Sequence, residues 1–339
     1  EGGEVGRSGI VYDPPDNCII QNALHRVRSQ AESNIRFLLY VLYAVAGSDW
    51  FLILCNKATI AHLTREKLTA LRIPIPSGEE QKIIADYLDQ KTAQIDELIS
   101  KKEQMIELLK EERTATINQT VTKGLDPNAE TKDSGIEWLG KIPKHWEVKR
   151  LKYLVQGKLE YGANEVAELD DINMPRYIRI TDSDDDGNLR RDTFKSLLES
   201  KAKEYLLQEG DVLFARSGAT VGKTFQFKNY KGRACFAGYL IRARPNQKIL
   251  SDFLYYFTRS NAYENWKNSI FNQATIQNIG ADKYSILTLP LPSAKEQKEI
   301  VDFIITKCER IDGVIFQAEQ SVELLKEYRT ALISEVVTG

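Results

Sequence analysis

Two stretches of this chain, IPIPSGEEQKII (Ile73 to Ile84) and LPLPSAKEQKEI (Leu289 to Ile300), are variants of one another set 216 residues apart. The same offset holds well beyond them. Downstream, IELLKEERTATI from Ile106 matches VELLKEYRTALI from Val322. Upstream, NKATIAHL from Asn56 matches NQATIQNI from Asn272, Trp50 matches Trp266, and FLLY from Phe37 matches FLYY from Phe253. Leu24, Arg26 and Arg28 face Leu240, Arg242 and Arg244, and GGEVGR from Gly2 lies over GATVGK from Gly218. Chance does not hold one offset over such a length, so residues 1–123 read as a second copy of 217–339. The section from about Gly135 to Arg216 has no counterpart, so the first copy is expected to lack some 80 residues that its twin has.

Each copy reads as a globular part followed by a long helix. Proline is excluded from helix interiors and biases its predecessor toward extended geometry, which makes IPIP and LPLP short extended segments. Ser77 and Ser293 then stand as N-caps, with Glu80 and Glu296 three residues on in a capping-box arrangement. No proline interrupts either run before the VTKG and VVTG ends, and about 45 residues at 1.5 Å each give a rod of roughly 65 Å. In the second rod Ile304, Ile311, Ala318, Leu325 and Leu332 form one heptad line, with Val301, Cys308, Ile315 and Val322 as the other. The first rod offers Leu88, Ile95, Lys102 and Leu109 beside Ala85, Thr92, Ile99 and Ile106. A domain between the rods favours their antiparallel packing with pseudo-two-fold symmetry; the alternative is that each seam packs on its own globular part.

The resulting expectation is an α+β fold of two β-rich mixed domains, the first partial, joined by two long helices in an antiparallel coiled coil. Its parts are a partial first domain (1–76), the first long helix (77–124), a linker (125–136), a second domain (137–292) and the second long helix (293–339).

Charge sorts by segment. Lys and Arg outnumber Asp and Glu by 24 to 19 in residues 137–292 and by 8 to 7 in 1–76, whereas acids lead 9 to 6 in 293–339 and 10 to 7 in 77–124. The globular parts are therefore the candidates for polyanion contact, and the rods for spacing and protein contact. Composition is that of an ordinary soluble protein, 42% hydrophobic and 28% charged, without an apolar run of membrane-spanning length or a signal peptide at the start. Four scattered cysteines and three histidines give no metal-ligand spacing, and reduced thiols in the cytoplasm are the default.

Three enzyme motifs nearly form. GATVGKT (Gly218 to Thr224) imitates a phosphate-binding loop, but only Ala219, Thr220 and Val221 separate its glycines where four residues are needed, and the other copy has Arg7 for the lysine. DSDDDG (Asp182 to Gly187) starts like a calcium loop, yet Thr193 stands where a bidentate Glu belongs, so a polar hairpin tip is the better reading. DPPD (Asp13 to Asp16) lacks the aromatic that a base-flipping methyltransferase stacks on its target, and its counterpart is NYKG. His62 faces Asn278, His25 faces Ile241 and His145 sits in the entry segment, so no histidine role is kept between copies. Nothing assembles a catalytic constellation.

DSGIEWLGKIPKHWEVKRLKYL (Asp133 to Leu154), YIRITD (Tyr177 to Asp182), GDVLFARSGATVGKT (Gly210 to Thr224) and NQATIQNIGADKYSILTLPLPSAKEQKEI (Asn272 to Ile300), in this order, resemble the specificity subunit of type I restriction-modification systems. The likeness covers essentially the whole chain. It implies two target-recognition domains, each reading one half of a bipartite DNA site, and two helices that fix the spacing between half-sites. It also implies no catalytic site and no cofactor here. S-adenosylmethionine belongs to partner modification subunits, ATP and magnesium to a restriction motor-nuclease subunit, and double-stranded DNA is the shared ligand.

Reading duplex DNA needs donors and acceptors at base edges and cations at phosphates. In the second domain these are Arg216, Ser217, Thr220 and Lys223 in one loop and Gln273, Thr275, Gln277, Asn278 and Lys283 in another, with Arg179, Thr181, Arg190 and Arg191 around the polar hairpin. The repeat adds Arg7, Lys57, Thr59 and His62. Positions kept in both copies (Asn56/Asn272, Thr59/Thr275, Lys67/Lys283) are expected to serve shared fold or backbone contacts, and differing ones (Lys57/Gln273, Ala61/Gln277) to read different bases. A partial first domain raises two further expectations, self-association that completes the assembly or a scaffold that no longer reads DNA.

Overall fold

The computed structural model describes residues 6–30, 33–48, 63–166, 168–184, 187–271 and 278–339. It divides into two compact units, Glu1–Leu109 with Gly313–Gly339, and Lys110–Asp312, so the division crosses both long helices.

The repeat is visible in the elements. Helix α1 (Ile35–Gly47), α2 (Arg65–Thr69) and α3 (Gly78–Lys123) begin 216 residues before α5 (Ser251–Phe257), α7 (Ala281–Ile286) and α8 (Ala294–Thr338). Ser77 and Ser293 each accept the amide of the third residue on, at 3.3 Å, as N-caps do. The next residue is a buried glutamine in both copies. Gln81 donates to the Pro76 carbonyl at 2.9 Å and accepts the Asn34 amide at 2.9 Å. Gln297 donates to the Pro292 carbonyl at 3.0 Å and the Lys248 carbonyl at 2.9 Å, and accepts the Leu250 amide at 2.7 Å. One side chain thus ties each long helix to its own globular part.

In the first unit, Asn34 caps α1, whose Phe37, Tyr40 and Val41 share a core with Ala85, Leu88 and Ile95 of α3 and Leu332, Ile333 and Val337 of α8. Tyr40 donates to Asp89 at 2.7 Å, and Arg36 bridges Asp86 and Asp89. Asp96 of α3 pairs with Arg329 of α8 at 2.8 Å. Low numbers on α3 meet high numbers on α8, so the helices run antiparallel here.

No strand occurs among the described residues of this unit, although a β-rich first domain is expected. Leu24–Val27, the counterpart of strand β9 (Leu240–Ala243) in the second copy, lies outside any ladder. The reason is pairing: β9 is held by β4 (Glu160–Tyr161) and β6 (Val212–Ala215), and residues 1–123 contain no counterpart of either. A strand without partners leaves its amides and carbonyls to water.

The second unit holds the sheets, including the short antiparallel pairs β1 (Thr131–Asp133) with β2 (Lys141–Pro143) and β3 (Glu147–Arg150) with β10 (Thr288–Leu291). It also holds the helices α4 (Glu199–Ala202) and α6 (Asn261–Phe271). Its four-stranded sheet runs β4, β9, β6 and β7 (Thr224–Gln226), all antiparallel. Strand β6 reads VLFA without polar alternation because both faces are covered. Val212 and Phe214 enter a large core with Trp146, Phe253, Phe257, Tyr263, Trp266 and Tyr284; Leu213 and Ala215 enter another with Phe225, Phe227, Phe236 and Leu240. A parallel pair joins β5 (Arg176–Ile178) to β8 (Ala234–Phe236). Ile117 and Val121 of α3 complete the larger core with Ile300, Val301 and Ile304 of α8. Glu112 pairs with Lys307 at 2.7 Å and Arg113 with Asp312 at 3.0 Å, again an antiparallel match. Asp312 and Arg113 are the repeat equivalents of Asp96 and Arg329, so each unit joins the same two positions with the copies exchanged.

Of the seam positions, Leu88, Ile95, Ile106, Ile304, Ile311 and Val322 are buried, and Ile99, Leu109, Ile315 and Leu325 are half-buried. Gly124 closes α3 in the left-handed region at φ 76°, where its amide returns to the Thr120 carbonyl. The capping box forms only by half. Glu296 turns its carboxylate instead to the Trp146 indole at 2.9 Å and to His145 at 3.1 Å.

Candidate nucleic-acid interface

GATVGKT lies in a β-hairpin, between β6 and β7, rather than between a strand and a helix as a phosphate loop does. The turn is closed by the Gly222 amide to the Ala215 carbonyl and the Ala215 amide to the Lys223 carbonyl, both at 2.9 Å. Gly218 and Gly222 sit at φ 81° and 84°, a conformation that disfavours side chains and explains why both copies keep glycine there. Tyr263 and Tyr284 fix the turn from beneath, donating to the Gly222 carbonyl at 2.8 Å and the Ala215 carbonyl at 2.9 Å. Burial pushes both phenols well up, so they stay protonated donors.

This turn meets the second predicted loop. Ser217 bridges Asn278 in antiparallel fashion, and the Ile279 amide donates to the Arg216 carbonyl at 2.8 Å. The Arg216 guanidinium lies 4.8 Å from the Tyr161 ring centroid, and its Nε is buried without a hydrogen-bond partner. Tyr161 is itself held, its hydroxyl accepting the Ala281 amide at 2.9 Å. The Arg216 amide donates to the carbonyl of Tyr239, whose side chain is exposed. Stacking and backbone anchoring leave the planar fork of Arg216 oriented rather than flailing. Thr220 and Lys223 are half-buried, and Asn278 and Lys283 are exposed. Neither aromatic was among the candidates: Tyr161 has no counterpart in the first copy, and Tyr239 faces Ala23.

The polar hairpin is a different case. Both oxygens of buried Asp182 take the Arg179 guanidinium, at 2.7 and 3.1 Å, and Arg179 also donates to the Thr193 carbonyl at 3.0 Å. Arg179, half-buried, is thereby committed to Asp182 and Thr193. Arg190 donates to the Thr181 carbonyl; Thr181 and Arg191 are exposed, and Arg191 has no partner among the described residues. Arg7 is exposed in the first unit. Gln273, Thr275, Gln277, Lys57, Thr59 and His62 lie outside the described residues.

No cluster of three His, Cys, Asp or Glu among the described residues could hold a metal ion, and no described helix is long and apolar enough to cross a membrane. Burial raises the Cys235 thiol to about 12, far from a reactive thiolate.

A family model described as the type I restriction modification DNA specificity domain matches residues 3–108 and 143–312. The chain belongs to that family. Among its relatives, the type I restriction enzyme MjaVIII specificity subunit of Methanocaldococcus jannaschii is 25% identical over 92% of this chain and 72% of its own length. The StySPI specificity subunit of Salmonella potsdam is 29% identical over 83% of this chain, which spans only 60% of that protein. A solved structure from work on the assembly and conformational transition of a type I R-M system has a TM-score of 0.69 at 16% identity, covering 90% of this chain and 71% of its own. The HsdS subunit of Thermoanaerobacter tengcongensis has a TM-score of 0.54 at 17% identity, covering 91% and 71%. These likenesses establish the α+β specificity-subunit fold with its paired long helices.

Proposed function

We propose that this chain is the DNA-reading, non-catalytic subunit of a cytoplasmic type I restriction-modification complex. It holds double-stranded DNA and positions modification subunits, which carry S-adenosylmethionine, and a restriction subunit, which uses ATP and magnesium; it binds no cofactor itself. The observation that carries this reading is the junction of two loops at Ser217 and Asn278 beside an arginine stacked on Tyr161. Arg216 and Asn278 are the base-edge readers, since Arg suits guanine and Asn suits adenine, and Lys223, Lys283 and Arg191 are phosphate contacts. Ser217 and Thr220 support the same face. Gln273, Thr275 and Gln277 are assigned to DNA as the polar loop leading to Asn278, and Arg7, Lys57, Thr59 and His62 by the repeat. Arg179 positions the hairpin through Asp182 rather than touching DNA.

The test is the methylated motif of host DNA with this gene intact, deleted, or carrying Arg216→Ala. Deletion is expected to erase one bipartite motif. Loss of a good arginine–base contact is worth about 1–3 kcal/mol, so the variant should relax one base position roughly 5- to 150-fold. An unchanged motif on deletion refutes the proposal. A motif lost on deletion yet indifferent to Arg216, Asn278 and Lys223 substitutions indicates an assembly scaffold.

A further inference from the structure

The turn from β8 to β9, residues 237–239, is pinned on every side beside Arg216. The Ala237 amide donates to the Ile178 carbonyl at 3.0 Å and the Gly238 amide to the Ala163 carbonyl at 2.6 Å. The Ala163 amide returns to the Phe236 carbonyl at 2.9 Å, and the Tyr239 carbonyl takes the Arg216 amide at 3.0 Å. The segment after β4 crosses this turn so closely that a Cβ on Gly162 would collide with the Phe236 and Ala237 carbonyl oxygens. That crossing also sets Tyr161 under the Arg216 guanidinium.

One side chain leaves this framework. Phe236, Ala237 and Leu240 are buried, Gly238 has no side chain, and Tyr239 is 68% exposed. Its hydroxyl has no hydrogen-bond partner among the described residues. A single exposed aromatic needs no explanation by itself, but this one stands on a fixed backbone joined directly to that of an arginine assigned to a base edge. Tyrosine has two side-chain torsions, so ordering it against a ligand costs little. Its ring is apolar, and the apolar group that base edges present in the major groove is the thymine C5-methyl.

We propose that Tyr239 is a further specificity-determining residue, which lays its ring on the methyl group of a thymine in the half-site that Arg216 reads; this rests on the DNA-reading role given above. The first copy has Ala23 at the matching position, so the methyl contact belongs to one half-site only. The hydroxyl takes no part in it.

The test measures binding of the assembled complex, this chain with its modification subunits, to a duplex carrying the host motif. Each thymine on either strand of the motif is replaced singly by uracil, which deletes only the methyl. One replacement, in the half-site that Arg216→Ala relaxes, is expected to weaken binding about 4-fold, as loss of one buried methyl does. Tyr239→Ala should make thymine and uracil equivalent at that position, whereas Tyr239→Phe should keep the preference. The uracil series on the unaltered protein needs no variant to fold. Three results overturn the inference while leaving the DNA-reading role intact: a bound motif with no methyl-sensitive thymine in that half-site, a preference that survives Tyr239→Ala, or one lost in Tyr239→Phe. A complex that binds no motif overturns both.

Discussion

Replacing Gln297 by leucine tests the tie between the second long helix and its globular part. The side chain is fully buried and serves three backbone groups, so leucine fills the space but orphans two carbonyls and one amide. The Pro292 carbonyl is in a buried bond and should cost about 1–3 kcal/mol when left unpaired. The other two bonds are partly buried, where water recovers part of the loss, adding about 0.5–1 kcal/mol each. The sum is about 2–5 kcal/mol, a large fraction of ordinary domain stability. Gln81→Leu, which removes two partly buried bonds, should cost about 1–2 kcal/mol. Urea unfolding followed by tryptophan emission suits the measurement, because three of the four tryptophans, Trp138, Trp146 and Trp266, lie in Lys110–Asp312 and Trp50 lies in the other unit. A loss below about 1 kcal/mol for Gln297→Leu, or one no larger than that of Gln81→Leu, refutes the accounting.

Burial, with the Asp89 contact in support, raises the Tyr40 phenol to about 12 from its usual 10. The folded value exceeds the unfolded one, so the stability this group contributes is complete below pH 10 and is lost as pH rises toward 12. Phenolate absorbance titration of wild type against Tyr40→Phe should show one late-titrating group missing from the variant. With Cys55 replaced by serine, maleimide at neutral pH should label exposed Cys18 and spare Cys235, whose thiol burial holds at about 12; mass spectrometry of the peptides decides it. Gly124→Ala forces a side chain into φ 76° and to 3.2 Å from Trp146, so thermal unfolding should show a loss of about 1–2 kcal/mol.

What sequence discloses here is what periodicity and repetition encode. Prolines, the Ser77 and Ser293 caps and the heptads marked the starts of the two long helices, because these are local signals, whereas α1, α2, α5 and α7 were not singled out although the offset of 216 relates them. It also drew the Arg216 and Asn278 loops out as candidates, though their junction depends on a bridge between residues 61 apart in the chain. Partner choice was not legible. Arg179 looked like a free cation until Asp182 claimed it, Glu296 looked like a capping-box return until Trp146 and His145 claimed it, and Tyr161 carried no signal at all. Leu24–Val27 lies outside any ladder because residues 1–123 include no partner strand for it, a tertiary cause that no local pattern contains.

The exchanged ion pairs carry one more consequence. Asp96 with Arg329 and Arg113 with Asp312 are one chemical link spelled twice, each time with one residue from either copy. Each pair is partly exposed and contributes little by itself, yet their interchangeability matters genetically. A crossover between the copies at matching positions returns an aspartate and an arginine to the same places. An exchange of helix segments between the copies at matching positions therefore leaves these two helix contacts chemically unchanged.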